Sequence, residues 1–181
     1  MGILLGVKID LLELEDCTIR DFSIDVTIRN RISNFRWAFV VVYGPAQHNL
    51  SNLFLEELDL ICNSNLLPLV IGGDFNLIRN MEEKNSDNFN HTLMAEFNNF
   101  VSRHHLREVK RSGMKFTWTN KQDCPIQVTL DRFLMTCSWE NQFPLCSAWS
   151  LTRVGSDHCP IILDSGEQGA PRPRYFFFEN K

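Results

Sequence analysis

Four short stretches of this chain hold residue types that can do phosphate chemistry. In Leu69-Val70-Ile71-Gly72-Gly73-Asp74-Phe75-Asn76 an apolar run reads as a buried strand, two glycines end it, and a carboxylate and an amide flank one aromatic. An α/β protein presents polar ligands in this way at the C-terminal end of a strand. Period-two spacing points Asp74 and Asn76 the same way. The carboxylate suits a divalent metal or can take a proton from an attacking water, and the amide can hold a phosphate oxygen or that water. The same residues also suit a plain Gly-Gly turn capped by Asp and Asn.

In Gly155-Ser156-Asp157-His158 a carboxylate and an imidazole are adjacent, just before the apolar run Cys159-Pro160-Ile161-Ile162-Leu163. His158 could donate to a phosphate oxygen or a leaving group, and Asp157 could bind metal through a water. The bland reading is a loop aspartate beside a satisfied histidine. In Leu130-Asp131-Arg132-Phe133 an acid stands inside an apolar strand, which is costly unless it is paired. A histidine that must be held in one tautomer is its natural partner, so Asp131 pairs with His158; a local ion pair with Arg132 is the alternative. In Val42-Tyr43-Gly44-Pro45 a tyrosine ends a strand and can reach a cleft with its hydroxyl, or be an ordinary edge aromatic.

These side chains need elements to carry them. Residues 2–7 are apolar and read as a strand, and residues 11–19, 22–29 and 35–43 follow as strands. Phe22, Ile24, Val26 and Ile28 alternate with polar residues, as in a half-buried strand. Residues 37–43 are nearly all apolar, which suits an inner strand that Gly44-Pro45 stops. Ser51 reads as the N-cap of a helix whose apolar positions are Leu53, Phe54, Leu58 and Ile61. Residues 67–71 form the strand that delivers Asp74. A polar loop over 80–91 leads to a helix over about 92–104, with Leu93, Phe97, Phe100 and Val101 on one face. Strands are expected at 115–120, 128–135, 148–154 and 159–163, with a short helical turn at 138–141. Strands that come in adjacent runs between helices indicate a mixed sheet layered with helices.

The chain has 181 residues, enough for one domain with a core, and residues 1–165 read as that domain. Residues 166–181 turn to Gly, Pro and Arg before Phe176-Phe177-Phe178, and read as a linker tail. No apolar run approaches the roughly 20 residues of a membrane helix. The start lacks the basic flank and cleavage site of a signal peptide, and Gly6 stands where a myristoylation signal wants Ser or Thr. The six cysteines include no CxxC pair, so they read as reduced thiols of an intracellular protein, most of them small core residues. Net charge is −4, so no global basic face is expected. Locally Arg103, Arg107, Lys110 and Arg111, with Lys115 and Lys121 beyond, are opposed only by Glu108. They read as a nucleic-acid contact or as a solvated helix face and loop.

The ordered set Tyr-Gly-Pro, Gly-Gly-Asp-Phe-Asn, Leu-Asp-Arg and Ser-Asp-His-Cys-Pro-Ile resembles the endonuclease/exonuclease/phosphatase superfamily, whose folds are similar to deoxyribonuclease I and the apurinic endonucleases. Lys115-Phe116-Thr117-Trp118-Thr119-Asn120 fits the same family. The resemblance is strongest to the endonuclease domain of plant long interspersed (non-LTR) retrotransposon polyproteins, through Gly-Ile-Leu-Leu-Gly, Phe-Val-Val-Val-Tyr-Gly-Pro and Arg-Val-Gly-Ser-Asp-His. It covers nearly the whole chain. It implies an α/β, four-layer α/β/β/α sandwich and metal-dependent hydrolysis of DNA phosphodiesters in Mg2+ or Mn2+. It implies that Asp74 aligns or deprotonates the water, with Asn76 beside it on the phosphate. Asp157 would assist metal binding, His158 would hold a non-bridging oxygen, Asp131 would orient His158, and Tyr43 would touch the phosphate. It also implies a nuclear setting, with a reverse transcriptase domain after the tail.

Members of this family open with a strand ending in Asn and a second ending in Gln-Glu, whose Glu is the principal metal ligand. Both precede the Gly-Ile-Leu-Leu-Gly region at which this chain starts, and Glu13 and Glu15 fall too late to replace that Glu. The expectation is therefore an N-terminally truncated relative that lacks the first strands and helix, with cleavage impaired or lost. The alternatives are a catalytically inactive retrotransposon-derived fragment or a nucleic-acid-binding remnant and, on the superfamily's other substrates, a phosphatase for inositol phosphates or lipids.

Overall fold

The strand that ends at Tyr43 is apolar on both faces because both faces are covered. Ala38, Val40 and Val42 turn to one hydrophobic cluster, and Trp37 and Phe39 turn to another. Burial on both faces is what makes such a strand read as a near-continuous apolar run. In the computed structural model residues 3–166 are described. In chain order they form β1 (Leu12–Ile19), β2 (Ser23–Asn30), β3 (Arg36–Tyr43), α1 (Ser51–Ser64), β4 (Leu69–Asp74), α2 (His91–Arg103), β5 (Arg107–Glu108), β6 (Arg111–Ser112), β7 (Trp118–Thr119), β8 (Gln127–Val128), β9 (Asp131–Met135), α3 (Cys137–Gln142), β10 (Ser147–Ser150) and β11 (Ile161–Asp164).

Six strands make one sheet in the order β1-β2-β3-β4-β9-β5. β1, β2 and β3 are antiparallel neighbours, α1 crosses over to bring β4 parallel to β3, and β9 lies antiparallel to β4. A second sheet has the order β11-β10-β6, and β7 pairs with β8 in a separate hairpin. α1 and α2 bury Phe54, Leu58, Phe97 and Phe100 against one face of the large sheet. Val70, Phe133 and Met135 on the other face meet Trp139 of α3, Ala148 of β10, and Ile161 and Leu163 of β11. The result is an α/β sandwich, with helices, large sheet and small sheet as successive layers; Trp139 of α3 is buried in the cluster between the sheets.

Several expected elements are shorter or differently placed. Residues 3–8 form no paired strand; Leu5 and Val7 instead line an apolar cavity of about 330 Å³ with Trp37, Phe39 and Trp139. Ser51 does not cap α1: a single 3-10 turn at His48–Leu50 leads into the helix, and the Ser51 hydroxyl is buried inside the first turn. Leu53 lies on the exposed side of α1, and Leu55 takes its place in the core. α2 is capped by Asn90, whose side chain accepts from the Leu93 N–H. The strands expected at 115–120 and 148–154 shrink to β7 and β10, and past their C-terminal ends Asn120 and Leu151 bond to the carbonyls of Ile126 and Pro160 outside any strand. The strand expected at 128–135 breaks at Thr129 and Leu130, where the Thr117 hydroxyl takes the N–H groups of Leu130 and Asp131. The cysteines are not mainly core residues. Only Cys159 is buried; Cys17, Cys124 and Cys137 are exposed on an edge strand, a hairpin and a helix start. Except for Gly166, the expected linker tail lies outside the described residues.

Candidate active site

Tyr43, Asp74 and Asp131 occupy one row at the end of the large sheet. Tyr43 is opposite Asp74 in the β3–β4 register, and Asp74 is opposite Asp131 in the β4–β9 register. Strand parity puts Asp131 on the side of Phe133 and Met135, and Asp74 on the side of Val70, so both carboxylates face the small sheet. Two glycines let β4 end this way. A Cβ on Gly72 would lie 2.5 Å from the Phe133 ring, and Gly73 has φ +139 with the Val42 carbonyl 2.2 Å from its Cβ position. Phe75 then pins the turn. It is fully buried, packs its ring tilted against Phe97 at 5.3 Å and edge-on to Phe54 at 6.1 Å, and its N–H donates to the Leu130 carbonyl at 3.0 Å.

His158 reaches this row from the loop before β11. Its Nδ1 lies 2.9 Å from Asp131 Oδ2 and its Nε2 lies 3.8 Å from Asp74 Oδ2. A carboxylate only accepts, so Nδ1 carries the hydrogen in the shorter contact. Arg132, the alternative partner for Asp131, projects from the opposite face of β9. It is buried over the Phe97 ring and paired with Glu83 at 2.8 Å and Glu108 at 3.2 Å. The pairing of Asp131 with His158 is therefore what the fold makes.

Asn76 adopts φ 50, and its backbone N–H donates to Asp74 Oδ1 at 2.9 Å. Its amide donates to Asp74 Oδ2 at 3.0 Å and to the Gly44 carbonyl at 2.8 Å. Both amide hydrogens are thus turned to the protein rather than outward to a phosphate, and Asn76 fixes the Asp74 carboxylate. Asp157 is exposed beside the cleft and accepts from the Trp118 indole N–H at 3.1 Å.

The titratable groups of the row are shifted, Asp74 most of all. Burial first, and then Asp131, push the Asp74 carboxyl up to about 6, against the opposing bonds from Asn76 and the charge of His158. The Asp131 hydrogen bond raises His158 above the usual imidazole value although burial opposes it. Burial raises Tyr43, helped by Asp74 and Asp157. The Trp118 indole holds Asp157 below the usual carboxylate range.

Of the basic run, Arg103 and Arg107 are engaged away from this row, whereas Arg111 feels the charge of Asp131. Arg103 pairs with Asp59 at 2.6 Å and Arg107 with Glu140 at 2.7 Å. Arg107 lies opposite Met135, four residues along β9 from Asp131 and so about 13 Å away. Arg111 donates to the carbonyls of Met114 and Lys115, while Lys110 is exposed on the same edge. Two residues beyond those singled out from sequence shape the site, Thr117 and Trp118. Their signal was the alternation Phe116-Thr117-Trp118-Thr119, which hides a fully buried threonine on one face and a half-buried indole on the other.

For a divalent ion, Asp74 and Asp157 offer hard oxygen donors. Among the described residues no three His, Cys, Asp or Glu side chains group as ligands for one metal. This donor set fits a hydrated Mg2+, which commonly takes one or two carboxylates and leaves its other positions to water and substrate phosphate.

The model of the endonuclease-reverse transcriptase family matches residues 37–162 of the chain. No curated protein sequence matches it. Among solved structures it is similar to the endonuclease domain of TRAS1, a telomere-specific non-LTR retrotransposon, with TM-score 0.65 and 18% identity over 82% of this chain and 65% of that one. It is also similar to AP endonuclease LMAP from Leishmania major, with TM-score 0.60 and 13% identity over 77% and 53%. D. rerio TDP2 complexed with single strand DNA product gives TM-score 0.55 and 12% identity over 84% and 67%. At such identities these likenesses establish the fold, the deoxyribonuclease I-like α/β sandwich. The chain spans 65% of the length of the first of these structures and 53% of the second.

Proposed function

The chain belongs to the endonuclease-reverse transcriptase family, within the endonuclease/exonuclease/phosphatase superfamily, and on that premise we propose that it hydrolyses phosphodiester bonds of DNA. One observation carries the reading: His158 stands between two carboxylates, hydrogen-bonded to Asp131 at 2.9 Å and turned toward Asp74 at 3.8 Å. Asp131 holds the imidazole in place and favours its charged form, so that Nε2–H donates to a non-bridging phosphate oxygen. Asp74, its carboxyl poised near neutrality and held by Asn76, aligns the attacking water and takes its proton. The oxygen of that water forms the new bond to phosphorus as the bond to the leaving sugar oxygen breaks. The Tyr43 hydroxyl contacts the phosphate from the next strand. Asp74 and Asp157 would hold Mg2+ or Mn2+, which supplies positive charge against the charge that develops on the phosphate. Lys110 and Arg111 extend the contact to the DNA backbone along the β5–β6 edge, with Arg103 and Arg107 farther out. A nuclear setting and a following reverse transcriptase domain belong to the same reading.

DNA is favoured as substrate because the chain shares its fold with a retrotransposon endonuclease and with TDP2 in complex with a single-strand DNA product. Nicking of supercoiled plasmid in Mg2+ tests it. The unmodified chain converts plasmid to open circles, and Asp74→Ala or His158→Ala abolishes the conversion. Nicking that survives both substitutions would sink the reading.

A second reading, DNA binding without cleavage, is favoured by one feature. Every carboxylate of the cleft already accepts a hydrogen bond from a protein donor: Asp74 from Asn76, Asp131 from His158 and Asp157 from Trp118. Plasmid retarded in a gel but never nicked would select it.

A further inference from the structure

We infer that Trp118 is the positioning residue of the Asp157–His158 loop, an assignment that rests on the hydrolase reading of the same cleft. Three contacts tie the segment 117–119 to that loop. The Trp118 indole N–H donates to Asp157 Oδ2 at 3.1 Å. The Thr119 N–H donates to the Asp157 carbonyl at 3.0 Å, and the Cys159 N–H to the Thr117 carbonyl at 2.7 Å. Trp118 and His158 thereby face each other as an antiparallel bridge. On its other edge Trp118 is paired with Val128 of β8.

Apart from these contacts, the His158–Asp131 bond and the Arg153 guanidinium on the Thr117 carbonyl, the loop is open to solvent. Residues 154–157 are exposed, Gly155 has φ +72, and Asp157 itself lies open to solvent. A short loop without regular structure samples many conformations unless its ends are fixed. Lys121, three residues beyond Trp118, adds a fourth tie from its ammonium to the Gly155 carbonyl at 2.9 Å. The same segment acts on Asp131, because the Thr117 hydroxyl accepts the Asp131 N–H at 3.0 Å. The segment 117–119 therefore touches both halves of the Asp131–His158 pair, and among the described residues Trp118 supplies the only side-chain donor to the Asp157 carboxylate from outside its own loop. Trp118 acts through Asp157; it need not touch substrate.

A double-mutant cycle with a spectroscopic arm tests the inference. Trp118→Phe keeps an aromatic ring and removes the N–H. It lowers the kcat of nicking about tenfold with KM within about twofold, the scale of one hydrogen bond to a charged group. In an Asp157→Ala background the same substitution costs less than about twofold, since the group it positions is gone. Equal losses in both backgrounds would overturn the inference and leave the hydrolase reading standing, because a role in folding or in stacking on DNA does not depend on Asp157. Circular dichroism shows whether the variants fold. If Trp118→Phe does not fold, benzothienylalanine at position 118 replaces it, with the shape of tryptophan and no N–H. The second arm needs no activity. The Trp118 indole proton, assigned by its loss in the variant, resonates downfield in the unmodified chain and moves upfield in Asp157→Ala. An indole resonance indifferent to Asp157 also refutes the assignment. If no chain nicks DNA, the hydrolase reading fails by itself while the resonance still decides whether Trp118 holds Asp157.

Discussion

Asp74 is placed against its own charge. It is 8% exposed, and burial with Asp131 nearby pushes its carboxyl up to about 6 from 3.8. The folded state thus binds this proton more tightly than the unfolded chain does. The stability linked to it is fully present below about pH 3.8 and is lost as pH rises through about 6, a change of about 3 kcal/mol. Asp74→Asn has no such titration. In urea unfolding with EDTA, its stability relative to the unmodified chain rises between pH 4 and pH 7; parallel profiles would refute the account of Asp74. His158 has the same sign, since its raised value gives stability that is present below the ordinary imidazole range and fades as pH climbs past its folded value. Asp131→Asn removes the main cause. The imidazole titration followed by NMR then falls to lower pH, and an unchanged midpoint would mean that Asp131 does not hold it. At this scale the sequence was informative where cost forces a choice: an acid in an apolar strand had to find a partner, and His158 was the partner. It suggested an Asn76 amide facing a phosphate oxygen or a water, but a left-handed backbone and the Gly44 carbonyl just past β3 turn that amide inward.

The turn after β4 works as a unit because Phe75 is its anchor. A fully buried phenylalanine replaced by alanine costs about 3–5 kcal/mol, so Phe75→Ala unfolds at markedly lower urea concentration. A shift below about 1 kcal/mol would show that the turn is held by its hydrogen bonds instead. The long periodic elements β1 to β4, α1 and α2 were legible within a few residues, because alternation and helical spacing are written locally. The short strands were not. β7, β8 and the start of β9 are defined by bonds from Thr117 and Phe75 to residues distant in sequence, and no local pattern encodes those. β1, an edge strand, bears Glu13, Glu15 and Asp16, the charges that discourage edge-to-edge pairing.

The whole molecule is acidic, and its basic run is largely spent on local partners, Arg103 on Asp59 and Arg107 on Glu140. Under the proposed function a polyanionic substrate would meet the cleft and its β5–β6 edge rather than a broad basic face. No helix among the described residues is long and apolar enough to cross a membrane. The fold and the family were readable from the order of a few short motifs, since that order fixes which strand ends meet. The separation of catalysis from binding is a property of the assembled cleft, and one measurement addresses it. Single-turnover cleavage of a labelled DNA duplex in Mg2+, with affinity measured in parallel in Ca2+, compares the unmodified chain with His158→Ala. The account predicts at least about a hundredfold slower cleavage with affinity within about threefold, the loss of one positioned donor to the transition state. Cleavage at an unchanged rate, or a loss confined to affinity, would contradict it.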